Sequence, residues 1–491
     1  MAHVADQPDV QTLDNFIDGR WVKAQTTDFF DVHNPALGEV IGRTPLSSAA
    51  DVDAAVRAAS RAFPAWRDTP VNTRAQVLHR FKALLEQHFA ELARTVTTEH
   101  GKTLDEARGS VRRGIECVEV ACGAPSLMQG SALEDIAAGI DCHVVRQPLG
   151  VCAAIAPFNF PAMVPMWFLP FAIVSGNTMV LKPSEQVPLS QRRMVDLLQQ
   201  CDLPAGVVNL VNGGSAVVNA ICDHPDIRAV SFVGSTPVAR HVYQRATHAG
   251  KRVQALGGAK NFVIVMPDAD LDRSIGAISE SFYGCAGERC LAGSMLVPVG
   301  GAHRETRDRL VASARALKVG DGSQPDVTMG PVISAGHRDR VVQYIEKGVA
   351  EGALLLVDGR TTRVDDRPNG YFVGPTVFDQ VSPSMAIGRE EIFGPVASIC
   401  PVNTLEEAIA LMHTHPNANA TSIFTSNGKA AREFSKHATA SMVGVNIGVA
   451  APMAYFPFGG AKDSFFGDLK VHGRDAFDFY TDKKVTISRW F

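Results

Sequence analysis

In the first third of the chain apolar residues recur at helical spacing. Val77, Phe81, Leu84, Leu85, Phe89 and Leu92 mark one face of a helix predicted over 73–100, between helices predicted over 51–63 and 104–128. After Asp141 the rhythm changes. Short continuous apolar runs appear, VCAAIA (151–156), TMVLK (178–182), VVNLV (207–211) and AVSFVG (229–234). Helical patterns near 164–175, 188–201, 215–222 and 237–248 separate or follow them. Apolar strands alternating with helices predict a parallel sheet covered on both faces. A second alternating set begins at FVIVM (262–266) and continues through SMLVPV (294–299), ALLLV (353–357), TSIFT and MVGVN. Its helices are predicted near 271–284, 302–317 and 336–350. The fold class expected is therefore α/β, with two Rossmann-like parallel-sheet domains. The terminal FYTDKKVTISRWF reads as a strand with exposed-edge character. Such an edge is stable only when paired, so pairing between subunits is expected.

Length supports more than one domain, because 491 residues exceed what a single hydrophobic core organises. At 46% hydrophobic and 20% charged residues the composition is that of a globular protein. A net charge of −4 argues against nucleic acid or an anionic membrane as the main partner. The amino-terminal MAHVADQPDVQTLDNF lacks a basic segment followed by an apolar run, so no secretory signal is expected. The apolar run at 163–174 is too short to span a bilayer. Nine scattered cysteines without a CxxC pair suit a reducing cytoplasm and form neither a disulfide framework nor a metal site.

Candidate chemistry sits at strand ends. TMVLK runs into Lys182-Pro183-Ser184-Glu185, beyond a strand's carboxyl end, where open α/β sheets bind ligands. There Glu185 can accept both hydroxyls of a ribose and repel a 2′-phosphate, which favours NAD over NADP. The plainer reading is a solvated strand-to-helix turn. FVGST (232–236) places Gly234 and Ser235 where free N–H groups and the helix dipole attract phosphate, with a simple helix cap at Ser235 as the alternative. PFNFP (157–161) holds Asn159 stiffly between aromatics and prolines, as an oxyanion donor or a turn residue. In YGCAGERCLAG (283–293), small residues leave room beside Cys290, and Arg289 is expected to favour its thiolate. Cys285 is the competitor. EEIFGP (390–395) offers a hydroxyl-binding carboxylate beside a ring.

PFNFP, KPSE, FVGST, LGG (256–258), GERC, EIFGP and FPFGGAKDS, in this order, resemble the aldehyde dehydrogenase superfamily over nearly the whole chain. The resemblance implies that Cys290 is the nucleophile and Asn159 the oxyanion donor. It implies NAD bound by Lys182, Glu185, Gly234 and Ser235, with Ala156 and Phe158 along its path, Glu391 on the nicotinamide ribose and Phe393 nearby. It also implies a first domain over 1–127 and 147–256, a catalytic domain over 257–469, and a small β oligomerisation arm over 128–146 and 470–491, in a homodimer or homotetramer. RRGIECVEVACGAPSLMQG, GERCLAG, APMAYFPFGGAKDSFFGDL and the terminal segment are similar to the CoA-acylating branch acting on methylmalonate or malonate semialdehyde. That branch uses coenzyme A as co-substrate, loses CO2 and releases propionyl-CoA or acetyl-CoA. Arg113 and Arg289 match positions that hold the substrate carboxylate, with Arg112 a neighbour easily confused with Arg113. Hydrolytic relatives carry a glutamate where this chain has Ala255, so a thioester on Cys290 is expected to wait for a thiol. The chain departs from the usual pattern at Gln186, at GAKNF and at Ala255. The competing activity is CoA-independent oxidation of a semialdehyde such as succinate semialdehyde.

Overall fold

The computed structural model describes residues 10–491, and the stretch before residue 10, read above for a secretory signal, lies outside the described residues. Two sheets organise the chain. In the first, five parallel strands lie in the order Val208–Leu210, Thr178–Lys182, Val151–Ile155, Ile227–Val233, Arg252–Leu256. Antiparallel edges are added by Asn15–Ile17 with Arg20–Val22 on one side and by Phe465–Phe466 on the other. Strands 151–155 and 178–182 are buried throughout because helices cover both faces, which is why their sequences are apolar at every position rather than alternating. The helix Val164–Val174 is buried all round. The second sheet runs Leu354–Val357, Thr376–Asp379, Val396–Ile399, Gly293–Pro298, Asn261–Val265, Ala420–Phe424, Met442–Val445, parallel except at its first edge.

Two expectations change, and the terminal strand finds a partner. The helix predicted over 73–100 is two helices, Val71–Gln87 and Phe89–His100, joined through a non-helical His88 at φ −99° and ψ 16°. Leu85 and Leu92 face the core on both sides of the break, so the apolar period does not register it. The terminal strand Thr481–Arg489 pairs with Ile140–Pro148 of its own chain, in register from Thr481 opposite Pro148 to Arg489 opposite Ile140. One of its edges is satisfied within the chain, and the other is the outer edge of the arm's sheet. Ser131–Ala137 completes this three-stranded arm. Between the arm's strands the chain returns to the first domain. Helix Gly473–Phe479 sets Phe477 edge-to-face on Phe171, ring centres 5.5 Å apart, inside that domain's core rather than in the arm.

In the first sheet the sequence order reverses between strands 151–155 and 227–233. A crevice opens beyond the carboxyl ends of strands at such a switch point. PFNFP leaves one of these strands and FVGST the other.

Candidate active site

Cys290 follows helix Leu271–Tyr283 and a tight turn in which Cys285, Ala286 and Gly287 have φ of 51°, 52° and 75°. Left-handed backbone costs about 1–2 kcal/mol per non-glycine residue, so this turn persists only because its surroundings hold it. A Cβ at Gly287 would run into the Gly394 carbonyl, which makes glycine obligatory there. The Glu106 carboxylate accepts the Cys285 N–H. Asn159 Nδ2 donates to the Glu288 carbonyl at 3.0 Å. The Cys290 carbonyl accepts from Asn261 Nδ2 at 2.9 Å and Asn419 Nδ2 at 2.8 Å.

Two cavities meet at Cys290. One, of about 700 Å³, lies at the switch point and is lined by Ala156, Phe158, Asn159, Lys182, Glu185, Gly234, Ser235, Glu391 and Phe393. The other, of about 660 Å³, reaches Cys290 from the far side and is lined by Arg113, Arg289, Glu106, Glu280 and Cys285. Every candidate site residue named from the sequence therefore lines one cavity or the other.

On the first side, Lys182 Nζ contacts Glu185 Oε2 at 3.0 Å, and burial holds the Lys182 ammonium below the ordinary lysine range. Ser235 is the N-cap of helix Thr236–His248 but its hydroxyl makes no cap bond, so the plain-cap reading does not describe it. The Gly234 N–H donates to the Leu256 carbonyl at 3.1 Å. It is not the free donor expected from FVGST, because the neighbouring parallel strand uses it. Glu391 accepts the Ala259 N–H at 2.8 Å, and burial raises its carboxyl above the usual range. Gly258 lets this carboxylate approach, since a Cβ there would collide with it. Phe158 stands edge-to-face on Phe393 at 5.8 Å and stacks on His100 at 6.2 Å.

The electrostatics of the cysteines differ from expectation. Burial pushes the Cys290 thiol up to about 12, with the Glu391 carboxylate adding to the rise and Arg289 only a small opposing influence. The Arg289 guanidinium turns instead toward Cys285, Glu106 at 3.5 Å and Glu280 at 2.7 Å. Adjacency in sequence misleads here because consecutive side chains leave a tight turn in different directions. Cys285 is nonetheless buried, and burial outweighs Arg289 and Lys102 in raising its thiol. Arg113 pairs with Glu116 at 3.1 Å, whereas Arg112 pairs with Glu86 and lies over the Phe89 ring, away from both cavities. Ala255 is fully buried in the core of the first sheet and brings no carboxylate to either cavity.

The aldehyde dehydrogenase family model matches residues 21–486. The chain belongs to the aldehyde dehydrogenase family. It is 52% identical over 482 residues to malonate-semialdehyde dehydrogenase 2 of Geobacillus kaustophilus, covering 98% of this chain and 99% of that one. A solved structure described as a putative methylmalonate-semialdehyde dehydrogenase from Sinorhizobium meliloti, complexed with NAD, is 44% identical, with a TM-score of 0.97 over 99% of both chains. Methylmalonate-semialdehyde dehydrogenase from Oceanimonas doudoroffii is 46% identical, with a TM-score of 0.96 over 98% of this chain and 99% of that one.

This aldehyde dehydrogenase fold also recruits residues that carry no local signal of function. Lys102 is fully buried, donates to the Asn159 carbonyl at 2.7 Å and sits 3.9 Å from the Phe160 ring centre, gripping PFNFP from below. Lys260 donates to the Ile387 and Glu390 carbonyls at 2.7 and 2.9 Å, tying down the segment that carries Glu391, and burial lowers it to about 7. Glu288 is fully buried between His100 and His337, and burial lifts its carboxyl well above the usual range. GAKNF contains two of the missed positions, Lys260 and Asn261. A lysine or asparagine directly before an apolar strand was the available clue.

Proposed function

We propose that the protein oxidises malonate or methylmalonate semialdehyde with NAD and coenzyme A, losing CO2 and releasing acetyl-CoA or propionyl-CoA. The observation that carries this reading is the meeting at Cys290 of a switch-point crevice and a second cavity bearing two arginines. Relatives named for these semialdehydes, about half identical over the full chain, support it.

NAD fits the first cavity. Glu185 is placed to take the adenosine ribose hydroxyls and to reject a 2′-phosphate, and Glu391 to take the nicotinamide ribose. The uncommitted Ser235 hydroxyl at a helix N-terminus suits a phosphate. Bound there, NAD supplies the hydride acceptor.

The Cys290 thiolate adds to the aldehyde carbon. Asn159 has two amide hydrogens, one committed to Glu288, and the second is the donor we assign to the oxyanion. Hydride departure leaves a thioester on Cys290. Arg113 and Arg289 hold the β-carboxylate, which leaves as CO2. The C–C bonding pair then becomes an enolate on the thioester oxygen, within reach of the same Asn159 donor, and protonation at carbon follows. The CoA thiol attacks the thioester and Cys290 leaves as thiolate. With Ala255 in place of a base, water has no activated route at that position. We also infer a homo-oligomer, because the arm aligns Leu133, Cys142 and Ile487 in one cross-strand row beside Val144 and Val485, an apolar face on a thin sheet.

The test is NADH formation from malonate semialdehyde with and without CoA, with the product identified by mass. CoA-dependent turnover to acetyl-CoA is expected. Steady turnover to a free acid without CoA would establish the hydrolytic activity instead.

A further inference from the structure

The cavity that would receive the semialdehyde is a poor place for an anion as it stands. It is lined by four carboxylates, Asp105, Glu106, Glu116 and Glu280, against two arginines. Both arginines already have counter-ions, Arg113 with Glu116 and Arg289 with Glu280 and Glu106. A substrate carboxylate can reach a guanidinium only if a resident acid gives way.

The two acids on Arg289 are not equivalent. Glu106 has 11% of its side chain exposed and also accepts the N–H groups of Thr103, at 2.8 Å, and Cys285. It is committed to capping its helix and holding the nucleophile turn. Glu280 is 58% exposed, and among the described residues its carboxylate bonds to Arg289 alone, at 2.7 Å. Gly284 makes that pairing possible, since a Cβ there would strike both the guanidinium and the Glu280 carboxylate. Arg289 is 13% exposed, so leaving it without a partner is costly, whereas an exposed acid loses little on returning to water.

We propose that Glu280 is the resident counter-ion of Arg289, exchanged for the substrate carboxylate at each turnover, and so a specificity-determining residue of this site. The proposal rests on the reading that Arg289 holds the substrate carboxylate. An aldehyde without a carboxylate leaves the Arg289–Glu280 pair intact. A semialdehyde displaces Glu280 into solvent while Glu106 keeps the guanidinium aimed into the cavity. Once the carboxylate has left as CO2, the acyl group on Cys290 is uncharged and Glu280 re-pairs with Arg289. The guanidinium then has both of its carboxylates again during transfer to CoA.

The experiment is a comparison of KM and kcat for malonate semialdehyde and for propanal, with saturating NAD and CoA, in the wild type, Glu280→Gln, Arg289→Gln and the double variant. Glutamine can still accept from Arg289 but competes less with an anion. Glu280→Gln is expected to lower KM for the semialdehyde about twofold to fivefold, the range an exposed ion pair of modest strength allows, with KM for propanal unchanged. That gain should vanish in the Arg289→Gln background. A semialdehyde KM that rises or stays put in Glu280→Gln, or shifts equally for both aldehydes, overturns the exchange. If Arg289→Gln meanwhile raises KM for the semialdehyde alone, the carboxylate-binding reading still stands. An equal effect of Arg289→Gln on both aldehydes overturns that reading and the exchange with it.

Discussion

Cys290 and Cys285 lie five positions apart, line the same cavity and are both raised by burial, yet their surroundings differ. Cys290 borders both cavities and its carbonyl is pinned by Asn261 and Asn419. Cys285 borders one cavity only, in a left-handed turn with its N–H bound to Glu106. Cys290→Ala is therefore expected to abolish NADH formation, by about a thousandfold or more, because no second nucleophile replaces it. NAD binding, followed by fluorescence quenching, should persist. Cys285→Ala should retain most of its activity, and the reverse pattern, activity lost in Cys285→Ala and kept in Cys290→Ala, would overturn the assignment. At this scale the residue types were legible in the sequence: a small-residue stretch around a cysteine, an asparagine in a rigid turn, glutamates at strand and turn ends. The direction of Arg289 was not, since a turn with three left-handed residues sends neighbouring side chains apart.

Among the elements, strands and helices with one strong period were the most legible, and the reason is burial. TMVLK and the strand 178–182 coincide because every side chain there is inside. Strands 252–256, 376–379 and 396–399 were not singled out from the pattern. They are buried equally well, but short apolar runs beside glycine and proline look like turns until a neighbouring strand supplies the hydrogen bonds. Helix 89–100 illustrates how elements brace one another. Its Glu99, fully buried, accepts the N–H groups of Leu189 at 2.7 Å and Ser190 at 3.1 Å, at the start of helix Leu189–Gln199. Burial raises its carboxyl to about 7, with those hydrogen bonds partly opposing the rise. A carboxyl raised on folding stabilises fully below its unfolded value of 4.5, and that stability is lost as pH rises through about 7. The full loss is about 3 kcal/mol. The melting temperature of the wild type should fall more steeply between pH 5 and pH 8 than that of Glu99→Gln. Parallel profiles would mean that Glu99 is not charging within the fold.

For the whole molecule, the arm tests how far a subunit is complete. Leu133 and Ile487 lie 65% and 66% exposed in one cross-strand row through Cys142. In the homo-oligomer proposed above, a second copy would cover that row. Leu133→Asp combined with Ile487→Asp should release monomers, read as mass by light scattering. The fold is expected to persist, because neither side chain belongs to a core cluster. An unchanged mass would place the subunit contact elsewhere. Among the described residues no helix is long and apolar enough to cross a membrane.

The sequence by itself determined the α/β class, the alternation of strands and helices, and which short stretches supply residues to the two cavities. Those properties follow from local periods and from residue types that suit few other roles. Only the tertiary structure decided that the crevice and the arginine-bearing cavity meet at Cys290. It likewise decided that Arg289 is answered by Glu280, that Gly234 spends its N–H inside the sheet, and that the last strand pairs within its own subunit. These depend on contacts between residues far apart in the chain, and neither periodicity nor adjacency encodes which distant partner a charge or a backbone edge will find.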